Sequence, residues 1–227
     1  MARLSMYYET IQVNGDKAVD TLIARLEGFP KTGQYPFLIG DDFQRQRAEE
    51  SLKFNDDDPR DIVESSLSMN VEAWIAEQVA LNEELTPSEK LLGPWPGETE
   101  RKGSIGLHLD HRGCVKPRVF MGLARIAEPW QLPAVMKFGG WNSCSEPAVH
   151  CAFHRLWQAE YGAWITGLSN DTIKCLVELP PRDPDAALRL AWQQYWYCND
   201  IVDQGCGTIS RLAAQLINSP HWFFWWD

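Results

Sequence analysis

The stretch that decides the fold is Trp192–Asp227, WQQYWYCNDIVDQGCGTISRLAAQLINSPHWFFWWD. Five of the chain's eleven tryptophans fall here, with a Gly-rich turn and an aromatic tail. An aromatic side chain buries about 150–250 Å². At about 25 cal/mol per Å² this gives an upper value of about 4–6 kcal/mol per ring. So much apolar surface belongs in a core, and the tail is expected to dock there as a strand buried on both faces, with room for one or two rings to rim a groove. Upstream, Thr208 is placed to cap a short helix turning Ile209, Leu212, Ala213 and Leu216 inward. Asp183-Pro184 opens an earlier helix with Leu188, Ala191, Trp192, Tyr195 and Val202 on its face.

Further outward, AWITGL and DTIKCLVEL flank Ser169-Asn170 and read as a hairpin. Ser145-Glu146-Pro147 opens a helix that places Val149, Phe153, Leu156 and Trp157 inward and closes at Tyr161-Gly162. SIGLHLD, PRVFMGLARI and LPAVMKFGGWN, all between 104 and 142, read as strands. In the first half, MYYETIQV (6–13) reads as a strand. A helix follows, capped by Asp16, with Val19, Leu22, Ile23 and Leu26 on its face and a stop at Gly28. TGQYPFLIG (32–40) is a short buried strand, and Asp41 and Asp42 suit the start of a polar helix through Leu52. Asp58-Pro59 starts a long amphipathic helix to about Leu85, on the spacing of Val63, Leu67, Val71, Trp74, Ile75 and Val79.

GPWPGETERKGS (93–104) is a linker or long loop. It separates an α/β portion, 1–92, from an α+β portion, 105–227, the two expected to pack as one unit. The fold class expected is α+β, a mixed or antiparallel sheet with packed helices.

The motifs LPAVMKFGGWNSC (132–144), HRLWQAEYGA (154–163), PPRDPDAALRLA (180–191), YCNDIVDQG (197–205) and WFFWWD (222–227) resemble those of a bacterial family known as domain of unknown function 4253. YPFLIG (35–40) resembles the family more loosely. The resemblance implies a shared fold and no settled activity. It also implies that an acidic residue is common near the position of Gln194, so the glutamine here speaks against a catalytic pair on that helix.

With 44% hydrophobic and 23% charged residues, the composition is that of a soluble globular chain. No export signal and no apolar run of about 20 residues is visible, so a cytoplasmic location without membrane contact is expected. The six cysteines, without a CxxC pair, read as reduced thiols. A net charge of −10 argues against a nucleic-acid partner and for a basic protein as partner. The acid concentrates in Asp41, Asp42, Asp56, Asp57, Asp58 and Asp61, the candidate partner-binding surface.

Candidate chemistry is sparse. Asp200 and Asp203, three apart before Gly205 and Gly207, could divide acid and base roles or hold a metal; equally, they could fix the Gly-rich turn through backbone amides. The turn Gly205–Thr208 lacks the ending of a phosphate loop and reads as a connector. His150 and His154 lie one helical turn apart, an alternative metal pair with Cys144 and Cys151 near in sequence, or a surface pair needing no ligand. His108, Asp110, His111 and Cys114 read as a hairpin turn around Arg112-Gly113. Cys144, Cys198 and Ser143 sit in no activating context for a nucleophile. No cofactor is expected. The reading favoured is a non-catalytic protein binder, such as an immunity protein neutralising a cognate basic bacterial toxin; the alternative is a metal-assisted hydrolase using Asp200 and Asp203.

Overall fold

The computed structural model describes residues 7–53, 55–81, 88–97 and 104–227. Its centre is a six-stranded mixed sheet in the order β1-β3-β2-β4-β5-β6. The strands are β1 (Tyr8–Asn14), β2 (Tyr35–Gly40), β3 (Arg118–Ala124), β4 (Ala163–Leu168), β5 (Thr172–Val177) and β6 (His221–Trp225). Every pairing is antiparallel except β2 with β4. The α+β reading therefore holds, with helices packed on one sheet. β3 lies between β1 and β2, so the two sequence halves share one ladder.

The helices are α1 (Ala18–Thr32), α2 (Asp42–Ser51), α3 (Pro59–Leu67), α4 (Val71–Leu81), α5 (Glu89–Leu92), α6 (Leu132–Met136), α7 (Pro147–Tyr161), α8 (Pro184–Tyr197) and α9 (Ile209–Leu216). α1 packs on β2 and α7 on β4, while α3, α4 and α5 meet α7, α8 and α9 across the halves. The start of the linker is held too, because Ser210 Oγ donates to the Gly93 carbonyl at 3.0 Å.

Helix starts read from sequence are in place. Asp41 caps α2, accepting from Gln44 N at 3.1 Å, and Asp183 caps α8 through Ala186 N at 2.9 Å. Thr208 caps α9 through Arg211 N at 3.3 Å. The tail docks as expected, but β6 alternates. Trp222, Phe224 and Trp226 are buried, whereas Phe223 is exposed and Trp225 half-buried. β6 therefore packs one face on the core and turns the other toward solvent, as an antiparallel strand can.

Four other expectations need correction. Asp16 caps nothing: it lies in a 3₁₀ turn, and α1 runs past Gly28 to the left-handed Gly33, whose N–H bonds Phe29 O at 2.9 Å. The helix from Pro59 breaks at 68–70, where Asn70 Oδ1 caps α4 by accepting from Ala73 N at 2.8 Å. Residues 82–87, into which the expected helix extends, and residues 98–103 of the linker lie outside the described residues. LPAVM forms α6, not a strand; Pro133 lacks a ladder donor and suits the first turn of a helix. SIGLHLD makes only a bridge from Leu109 to Val115. Its Gly106 lies against Leu38 and its Leu107 against Gly167, so the segment lies across β2 and β4, whose edges are already paired. In addition, α8 ends at Tyr197, leaving Val202 in a π-helical turn, Ile201–Cys206.

Candidate functional site

A cavity of about 690 Å³ opens where the halves meet. One wall is the end of α2 with Asn55, Asp56 and Asp57. The others are the turn Gly139–Asn142, the hairpin turn Asn170-Asp171, and the tail Trp225–Asp227. Motifs some eighty residues apart in sequence, KFGGWN and FWWD, thus share one concave surface.

The KFGGWN turn holds these walls together. Lys137, Gly139, Gly140 and Asn142 all have positive φ (48°, 108°, 81° and 47°). Two of the four are not glycine, a local strain that needs support from contacts around it. Lys137 Nζ supplies one contact, donating to Asn55 O at 2.5 Å, and Asn142 Nδ2 another, donating to Asp227 O at 3.2 Å. The turn therefore fixes the acidic segment on one side and the tail on the other. Gly139 has no alternative: a β-carbon there would fall on the Ser145 carbonyl oxygen and come within 2.7 Å of His150 Nε2.

The lining sets one cation, Arg47, against the carboxylates of Glu50, Asp56, Asp57, Asp171 and Asp227. Arg47 already lies 3.4 Å from Glu50. Among the described residues no cation pairs with Asp56 or Asp57. The half-buried indoles of Trp141 and Trp225 add faces of the kind that attract cations. Trp226 also lines the cavity, and its buried indole N–H has no partner among the described residues.

The six candidate partner-binding aspartates separate by environment. Asp41 pairs with Lys116 at 3.0 Å and Asp42 with Arg118 at 2.6 Å. Partial burial would raise the Asp41 carboxyl, but the Gln44 amide and Lys116 outweigh it and lower it. Asp58 caps α3, accepts from Tyr7 Oη at 3.0 Å, and is held far below the usual carboxylate range by the Arg60 side chain. Asp61 is exposed on α3. Asp56 and Asp57 alone of the six line the cavity. Sequence reading missed Trp141, Asp171 and Asp227 as their companions. Two glycines next to Trp-Asn were the available signal for a turn presenting an indole.

His150 and His154 are fully buried, not a surface pair. They share one hydroxyl: Tyr197 Oη lies 2.6 Å from His150 Nδ1 and 3.1 Å from His154 Nε2. Cys144 Sγ lies 3.4 Å from His150 Nε2, and Cys175 Sγ 3.9 Å from His154 Nδ1. Proton counting orients this chain. His150 Nε2–H faces Cys144 and the Ser145 carbonyl, so its Nδ1 accepts from Tyr197 Oη. That oxygen accepts from His154 Nε2–H, and His154 Nδ1 accepts the Cys175 thiol proton. Burial pushes His150 down to about 3, and burial with the neighbouring His150 does the same to His154. A metal at this pair would have to displace Tyr197. No group of three or more His, Cys, Asp or Glu suited to a metal occurs among the described residues.

Asp200 and Asp203 do not face one pocket. Asp200 is buried, with Oδ2 accepting from Asp227 N at 3.1 Å and Oδ1 from Gln204 Nε2 at 2.9 Å. Asp203 is exposed and accepts from Asn199 Nδ2 at 3.0 Å. Gly205–Thr208 joins the π-helical turn to α9. Asp110 closes the tight turn of the His108 cluster, accepting from Arg112 N and Cys114 N at 2.8 Å each. Burial raises the Cys144 and Cys198 thiols, and Ser143 is exposed on the turn.

Fold and cavity together define an α+β protein with an acidic, tryptophan-lined pocket. Residues 120–227, the C-terminal part of the chain, match the model of a family described as a domain of unknown function (DUF4253). The match begins inside β3, so its limit is not a boundary in the fold. No curated protein and no solved structure matches the chain. No helix among the described residues is long and apolar enough to cross a membrane.

Proposed function

We propose that this protein acts by binding a basic partner protein, with no reaction of its own, and that the cavity receives a basic side chain of that partner. The observation carrying this reading is the lining: carboxylates of Glu50, Asp56, Asp57, Asp171 and Asp227 beside the indoles of Trp141 and Trp225. A cation over an indole face gains about 0.5–2 kcal/mol, more as water is excluded. The net charge of −10 extends the attraction beyond contact and steers a basic protein onto the surface. Neutralisation of a cognate basic bacterial toxin in the cytoplasm, as an immunity protein does, fits this chemistry. The separation of Asp200 from Asp203 leaves the hydrolase reading without a shared pocket.

The test is a tagged pull-down from the native host at low and moderate salt, with the wild type beside an Asp56→Asn/Asp57→Asn double variant. A basic protein should be retained by the wild type, retained less as salt rises, and lost by about tenfold or more in the variant. Capture of an acidic protein, or capture indifferent to both salt and substitution, would count against the reading.

A further inference from the structure

A second cavity, of about 410 Å³, runs along the outer edge of β6, between that strand, the π-helical turn and α9. The β5–β6 register fixes which backbone groups reach it. Val177 N donates to Pro220 O at 2.8 Å and Trp226 N to Asp171 O at 3.1 Å, one at each end of the ladder. In an antiparallel pair, residues that exchange bonds alternate with residues that do not. Trp222 and Phe224 therefore turn their N–H and C=O groups to β5, and His221, Phe223 and Trp225 turn theirs outward. Those three line the cavity, while Lys174 and Leu176, their partners on the same sheet face, do not. The cavity thus follows the edge and not the face.

Part of that edge is already satisfied. Trp225 O accepts from Cys198 Sγ at 3.0 Å, His221 O accepts from Ser219 Oγ at 2.9 Å, and Asp227 N donates to Asp200 Oδ2 at 3.1 Å. Phe223 N, Phe223 O, His221 N and Trp225 N have no partner among the described residues. Phe223 is 46% exposed, so solvent reaches this part of the edge. HWFFW also lacks the usual protection of an edge strand: it has no lysine, no proline and no bulge in its register with β5. Across the groove, Ile201, Leu212 and Leu216 offer apolar contact, and Gln204 is engaged by Asp200. Gln215 and the His221 ring, which burial keeps neutral at pH 7, complete a lining without lysine or arginine.

We infer that β6 takes an added antiparallel strand from the basic partner, an extended segment whose backbone fills this edge. The inference rests on the reading of the acidic cavity as the partner's site, because Trp225 lines both cavities. The central residue of the segment exchanges two bonds with Phe223. Its two neighbours then share the face of Trp222 and Phe224, so their side chains are apolar and meet Ile201, Leu212 and Leu216. Beyond Trp225 the edge is closed by Asp200, and the segment leaves it there, with a basic side chain entering the acidic cavity. A second copy of this chain, with its own net charge of −10, is repelled, whereas a basic partner is attracted by the same charge.

The test follows backbone N–H exchange in the full ¹⁵N-labelled chain with the peptide acetyl-Arg-Val-Thr-Val-Ser-amide, its threonine set against Phe223. At about ten times its dissociation constant, the peptide should slow exchange at Phe223 and Trp225 about tenfold and leave Phe224, already bonded to β5, unchanged. N-methylation of the threonine removes the bond to Phe223 O and should weaken binding at least about tenfold. N-methylation of either valine, whose N–H points away from β6, should not. Equal effects of the three methylations, or no protection of Phe223 by the peptide, would overturn the inference. So would protection of Phe223 in the free protein that grows with protein concentration, which would put a second copy on the edge. Replacing arginine by citrulline separates the two readings: unchanged binding, with the threonine effect retained, would uphold the added strand and contradict only the basic partner.

Discussion

Moving from pH 7 to pH 5 is expected to remove about 4 kcal/mol of folding stability through the buried histidine pair alone. His150 and His154 are fully buried and pushed down to about 3, while the unfolded chain titrates them near 6.5. Below that value the unfolded state takes up protons that the native state refuses. Stability is therefore full above about pH 6.5 and falls steadily as pH drops toward 3. Each histidine contributes a slope of about 1.4 kcal/mol per pH unit. Depressed carboxylates such as Asp41 and Asp110 add to the loss only at lower pH. Against a usual total of about 5–15 kcal/mol the change is large. Urea unfolding at the two pH values measures it directly. A loss under 1 kcal/mol would mean that the imidazoles accept protons in the folded state, contradicting their depressed values.

Gly139→Ala is expected to cost about 3–5 kcal/mol, combining a left-handed φ with overpacking. The new methyl group would meet the Ser145 carbonyl and approach His150 Nε2 at 2.7 Å, with φ at 108°. Neither neighbour yields easily, since Ser145 O accepts from Gly140 N at 2.9 Å and His150 is held by Tyr197. Gly28→Ala is the matched contrast. Gly28 sits inside α1 with nothing within 4 Å of a new β-carbon, so alanine there should add about 0.5–1 kcal/mol. Thermal or urea unfolding of both variants reads the difference. Equal stability of Gly139→Ala and wild type would show that the turn can relax, and that it does not fix the cavity walls.

What the sequence made legible was local. Asp41, Asp183 and Thr208 announce helix starts because a cap needs only its own first turn. The Ser169-Asn170 hairpin and the docked tail followed from turn chemistry and apolar surface. The break at Asn70 was hidden because the apolar repeat runs through it from Leu67 to Val71. LPAVM is too short for its period to distinguish helix from strand. The spacing of His150 and His154 put them on one face, yet α7 is buried almost all round, so no face was left for solvent. The cavity itself draws on residues from Arg47 to Asp227, brought together by the sheet order and the KFGGWN turn, and no local pattern encodes that meeting.

A cavity that selects positive charge must distinguish arginine from its neutral counterpart. Acetyl-Gly-Arg-Gly-amide is added to the ¹⁵N-labelled protein while the indole N–H signals of Trp141 and Trp225 are followed, and the titration is repeated with citrulline in place of arginine. The arginine peptide should move both signals saturably, and the neutral citrulline peptide, similar in shape, should bind at least about tenfold more weakly. Equal shifts from the two peptides, or none from arginine, would contradict the proposed function.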